Sequence, residues 1–179
     1  MKHISYSVSK LFFYGFAFFS VFVIFFSILA FLEFYFQWNI PLVEITDKET
    51  SPYAKISIPF FTMIVGFQLS FKVIGMWLSL LFYTVYFWAL KNFFGVFIQE
   101  ELFNTASEKK LNLFFKLNFI PVFVGIIVLI VGLILSKKII FNEEFFPFII
   151  HIMVAFMVYF YMDLMKKGRR VQEENDLTI

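Results

Sequence analysis

Few side chains in this sequence can do acid–base or ligand chemistry, and the notable ones lie in or beside apolar runs. His151 sits within Phe148-Ile149-Ile150-His151-Ile152. Imidazole titrates near pH 6.5, so a histidine there could take up and release a proton. The commoner role of a lone histidine in such a setting is a hydrogen bond to a neighbouring helix. Glu33 closes one apolar run and Lys72 opens the next. They could form an ion pair at a shared depth. Glu33, Lys72 and His151 together are a candidate outer polar cluster. Asp163 can pair with Lys166 or Lys167. A metal centre needs three or four converging ligands. With two histidines, His3 and His151, and no cysteine, no such spacing is found, and no cofactor is expected. The P-loop, H-E-x-x-H, G-x-S-x-G and dinucleotide-binding patterns are all missing, so an enzyme is not expected.

The elements that must position these residues follow from composition. Of 179 residues, 61% are hydrophobic, 23% aromatic and only 16% charged, with 31 Phe. The mean hydropathy is +0.84. A water-soluble domain of this composition would expose large apolar patches and aggregate. A net charge of +2 is too small for direct nucleic-acid binding. A lipid core about 30 Å thick is crossed by about 20 apolar residues in a helix. Four stretches qualify, at about 11–34, 73–95, 112–136 and 145–166. The first is too long for a signal peptide and has no A-x-A site after it, so it is read as retained. The fold expected is an all-α membrane protein, a four-span bundle with a short extracytoplasmic β element between helices one and two.

That element occupies the extracytoplasmic segment 37–71. Leu42 to Thr46 is a short strand candidate, followed by turn-rich Asp47 to Pro52. Phe61 to Phe71 mostly alternates apolar and polar residues, a strand signal. The alternative is a helical extension of span two, bent at the interface. A helix from Ile58 to Leu90 would reach about 50 Å and bury Lys72 in lipid, so span two is started at Val73. In span three, Pro121 should bend the helix, and Asn118 can bond a freed carbonyl or a neighbouring span. Gly125 and Gly132 share a face that permits close helix approach. Lys and Arg favour cytoplasmic loops. With both termini inside, ten of the fifteen fall on the inner side, including Lys166, Lys167, Arg169 and Arg170.

Two inner segments carry patterns. In the loop before span three, Thr105 and Glu108 have capping-box spacing, with Asn104 as an alternative N-cap. After span four, Gly168 is the expected helix terminator and 167–179 the cytoplasmic tail. The tail ends Gln172-Glu173-Glu174-Asn175-Asp176-Leu177-Thr178-Ile179, acidic and then apolar. This ending, placed just after the last span, resembles the C-terminal signature of the DUF2975 family, small bacterial four-span membrane proteins. The family's inner loop has a Phe-Thr-x-x-Asn-x-x-x-Leu pattern. Phe103, Asn104, Ser107 and Leu111 stand at that spacing, with Asn104 in place of Thr and Ser107 in place of Asn. Val171 stands where a Leu is usual. Family members are often encoded beside a small helix-turn-helix regulator, and the family brings no catalytic residues.

The resemblance implies a bacterial cytoplasmic (inner) membrane protein; the apolar runs make it multi-pass, and the Lys and Arg bias favours both termini in the cytoplasm. The function expected is a non-enzymatic sensor or regulatory partner of a cytoplasmic protein, such as a small helix-turn-helix regulator. Its candidate partner-binding residues are Phe103, Asn104, Ser107, Leu111, Glu173, Glu174, Asn175, Asp176, Leu177, Thr178 and Ile179. The alternative is a small transporter or channel subunit, acting as an oligomer around Glu33, Lys72 and His151.

Overall fold

A computed structural model describes residues 2–46, 52–59, 61–66, 70–99, 104–137 and 146–176. Four helices and three strands follow in the order α1 (Lys2–Phe36), β1 (Val43–Thr46), β2 (Tyr53–Ile58), β3 (Phe61–Gly66), α2 (Ser70–Val96), α3 (Thr105–Ser136) and α4 (Phe146–Asp176). Each helix is long and apolar enough to cross a membrane. The chain divides into two compact units, one of Leu11–Phe87 and one of Met1–Lys10 with Trp88–Ile179.

In the Leu11–Phe87 unit, α1 ends where Gln37 turns left-handed (φ 52°) and its N–H returns to the Glu33 carbonyl at 2.9 Å. The Glu33 carboxylate accepts the Ile40 amide at 2.8 Å, which fixes the turn into the sheet. The sheet is antiparallel, in the order β1-β2-β3. Val43, Ile56 and Met63 pair across it, as do Ile45, Ala54 and Val65, so these six share one face. That face packs on Ala30 of α1. Glu44, Lys55 and Ile64 share the opposite face. Alternation along Tyr53–Ile58 therefore makes a strand that the sequence reading did not identify. The strand expected at Phe61–Phe71 is present as Phe61–Gly66, and Phe71 already lies in α2. The helix starts at Ser70, three residues before the expected start at Val73, and so includes Lys72. Lys72 is exposed. Deeper in the unit, the Ser20 and Thr84 hydroxyls lie 3.1 Å apart and join α1 to α2.

In the other unit, α3 and α4 form an antiparallel pair. Helix α3 is continuous across Pro121. Gly125 admits the Phe148 ring so closely that a Cβ would lie 2.8 Å from ring carbon Cγ. A Cβ at Gly132 would meet nothing within 4 Å among the described residues, so Gly125 is the one of the two at a close approach there. Helix α4 runs through Gly168 to Asp176, so the expected terminator does not end it. A single glycine costs about 1 kcal/mol in a helix interior, which packing overrides.

Gly125→Ala should lower the melting temperature of the detergent-solubilised protein. Overpacking of this kind costs about 1–3 kcal/mol. Gly132→Ala, which meets open space, should leave the melting temperature unchanged or raise it slightly.

Candidate functional site

The helices are longer than a bilayer core requires. Helix α3 has 32 residues and α4 has 31, about 45 Å or more at about 1.5 Å per residue. Their surplus turns carry the charges: Glu108, Lys109, Lys110 and Lys116 at the start of α3, and Lys166 to Asp176 at the end of α4. Because the two helices are antiparallel, these charged ends meet.

Asn104 is the N-cap of α3. Its backbone is extended (φ −116°, ψ 161°) and its side chain accepts the Ser107 amide at 2.7 Å. The Thr105–Glu108 capping box is therefore not the cap used. Glu108, released from that task, accepts from the Arg169 guanidinium of α4 at 3.2 Å. The Ser107 hydroxyl is fully buried and donates to Gln99 Oε1 at 3.1 Å, which fastens the loop after α2 to the start of α3. Leu111 is fully buried with Val96 and Met165, and Phe93, Tyr161 and Met162 pack around them. Tyr6 of α1 lies against Gly95 of α2 in the same unit. Arg169 also pairs with Glu173 at 3.3 Å, one turn on. Lys167 pairs with Asp163 at 2.7 Å, one of the two partners expected for that aspartate. Asn104, Glu108, Leu111, Met162, Met165, Lys166 and Arg169 surround a small recess.

The structure thus brings Asn104, Ser107 and Leu111 together with the end of α4. Glu173, Glu174 and Asn175 are exposed on its last turns, and Asp176 is its last residue. Phe103, Leu177, Thr178 and Ile179 lie outside the described residues. Sequence reasoning missed Gln99 and Met165, for which no local signal exists. Nor does spacing link Arg169 to Glu108, since the two stand on different helices.

The outer cluster has a different outcome. Glu33 is engaged by the Ile40 amide, and among the described residues it forms no ion pair with Lys72. His151 lies on α4, 6% exposed, with Nδ1 at 3.0 Å from Oδ1 of fully buried Asn118 on α3. The Asn118 amide donates to the Phe114 carbonyl at 2.7 Å. Oδ1 is then the acceptor and His151 carries its proton on Nδ1. Asn118 bonds the neighbouring span and a carbonyl of its own helix. The carbonyl freed by Pro121 would be that of Leu117, and the Asn118 amide does not go there. Among the described residues no group of three or more His, Asp or Glu side chains could hold a metal.

Four long apolar helices, a small antiparallel sheet between the first two, and a charged end built from α3 and α4 define a multi-pass integral membrane protein. Residues 41–179 match the family described as "Protein of unknown function (DUF2975)", and the chain belongs to it. No curated protein and no solved structure matches the chain.

The Asn118–His151 bond should appear in a double-mutant cycle. Asn118→Leu and His151→Phe should couple by about 0.6–1.7 kcal/mol, the range for hydrogen bonds between membrane helices. His151→Asn, which keeps an N–H near the Nδ1 position, should retain more stability than His151→Phe. Thermal unfolding in detergent reads both, and additive single effects would reject the assignment.

Proposed function

We propose that this protein is a non-enzymatic regulator of the bacterial inner membrane. Its charged end, built from the start of α3 and the end of α4, engages a cytoplasmic protein such as a small helix-turn-helix regulator. The carrying observation is that α4 continues to Asp176, with Glu173, Glu174 and Asn175 exposed, while Arg169 ties it to the capped start of α3. A helix projecting an acidic, solvated surface suits a basic partner face, since complementary charge speeds encounter and suppresses wrong partners. The orientation follows from the Lys and Arg bias, which puts this end inside. No comparable support exists for a transport path, since Glu33 and His151 are each engaged by neighbours with structural roles.

The chain has no cysteine, so single introduced thiols report topology without background. Glu174→Cys should react with an impermeant maleimide only after cells are opened, and Lys55→Cys in intact cells. A photo-crosslinker at Glu174 should capture one discrete cytoplasmic protein from native membranes. That band should vanish when residues 175–179 are removed. Labelling of Glu174→Cys from outside, or no crosslinked protein from the full chain, would overturn the reading.

A further inference from the structure

Helix α4 carries a stripe that the regulatory reading does not use. Ile152, Phe156, Tyr159, Lys166 and Arg170 recur at helical spacing and share one face. The apolar half of this stripe forms one wall of a groove of about 260 Å³, closed on the other side by Phe115 and Phe119 of α3. Ala155 is only 4% exposed, and its short side chain leaves the groove deep between larger neighbours. At the charged end of the groove the Phe115 and Tyr159 rings lie 6.1 Å apart.

Seven residues beyond Tyr159, about 10 Å along the axis, stands Lys166, with Arg170 a turn further. Side chains on a helix lean towards its N-terminus, which brings both cations within reach of the groove mouth; Lys166 also borders the recess beside Glu108. Both are exposed. The nearby acids are already engaged: Asp163 by Lys167, and Glu108 and Glu173 by Arg169. Glu174 lies a further turn out. Lys166, Lys167, Arg169 and Arg170 thus outnumber Asp163, Glu108 and Glu173 by one positive charge at the mouth of the groove.

We propose that this groove is a binding site for an anionic phospholipid, with one acyl chain between α3 and α4 and the phosphate on Lys166 and Arg170. The apolar channel selects a lipid over a free anion. The two cations select a net-negative headgroup over a zwitterionic one. The inference needs no protein partner and none of residues 173–179, so it stands or falls independently of the regulatory reading.

The test uses the full chain in a non-ionic detergent, titrated with phosphatidylglycerol, phosphatidylcholine of the same chains, and glycerol phosphate, with bound ligand read by native mass spectrometry. Phosphatidylglycerol should bind more tightly than either other probe. Each basic residue near such a surface contributes about fivefold, so K166A/R170A should weaken phosphatidylglycerol about thirtyfold. Ala155→Phe should fill the groove and weaken it without altering charge. Should Ala155→Phe fail to fold, phosphatidylglycerol with a photoreactive acyl chain should label the wild-type segments around Phe119 and Phe156. Phosphatidylcholine binding equally well, wild-type affinity in K166A/R170A, or wild-type affinity in a folded Ala155→Phe variant would overturn the proposal. So would glycerol phosphate binding as tightly as the lipid, or photolabel spread evenly over all four helices.

Discussion

Hydrocarbon offers no hydrogen bonds, so every polar group carried into it must find a partner inside the protein. Helix formation meets this demand for the backbone. The side chains meet it locally: Ser27 donates to the Val23 carbonyl at 2.6 Å and Thr84 to the Leu80 carbonyl at 2.8 Å. Asn118 and His151 reach instead to another helix, as Ser20 does to Thr84. Each has a polar edge that its own helix does not fully satisfy, and they meet across the α3/α4 seam. Their pairing sets the register of the two helices. In that register Gly125 lies under Phe148, Leu111 packs with Met165, and Glu108 faces Arg169.

The same constraint fixes what lies outside the membrane. Only about 20 residues of each helix are needed to cross, so the remaining turns extend into water or the headgroup layer with their charges. The family loop pattern gains a physical meaning here. The residue at the Thr position is the N-cap of α3, and Asn104 supplies an equivalent acceptor to the Ser107 amide. The residue at the Asn position faces the loop after α2, where the Ser107 hydroxyl still reaches Gln99. Both departures keep a hydrogen-bonding group in place. The Leu position is Leu111, which secures the loop by burial.

Much of this order was legible in the residues. Uncharged runs located all four helices, because the cost of charge in lipid leaves few alternatives. Helix ends were less legible. The apolar signal stops at the membrane boundary, whereas α4 continues through Gly168, with Met165 buried before it and Arg169 ion-paired after it. Strand β2 was hidden by Lys55, whose place opposite Glu44 exists only once the sheet has formed. Asn104 and Thr105 were both acceptable caps from sequence, and the tertiary fit of Ser107 against Gln99 favours Asn104. His151 and Asn118 were each recognisable as polar glue. Their pairing was not, since helix register is a property of the packed seam. Glu33 and Lys72 looked like partners by depth, but in the turn after α1 the Ile40 amide donates to the Glu33 carboxylate.

The charged end combines a firm and a loose attachment. Leu111, Val96 and Met165 are almost wholly removed from solvent, and burying a side chain of this size contributes about 1.5–3 kcal/mol. The Arg169–Glu108 pair, whose side chains are 39% and 37% exposed, is worth about 1 kcal/mol at most. The end of α4 is therefore held by grease as far as Met165 and only steered by charge beyond it. Breaking the Arg169 pair would cost little and leave the hairpin intact. The last two turns of α4 can thus exchange Glu108 for an external carboxylate, or offer Glu173 and Glu174 to an external cation, without unpacking anything that the membrane-embedded part requires.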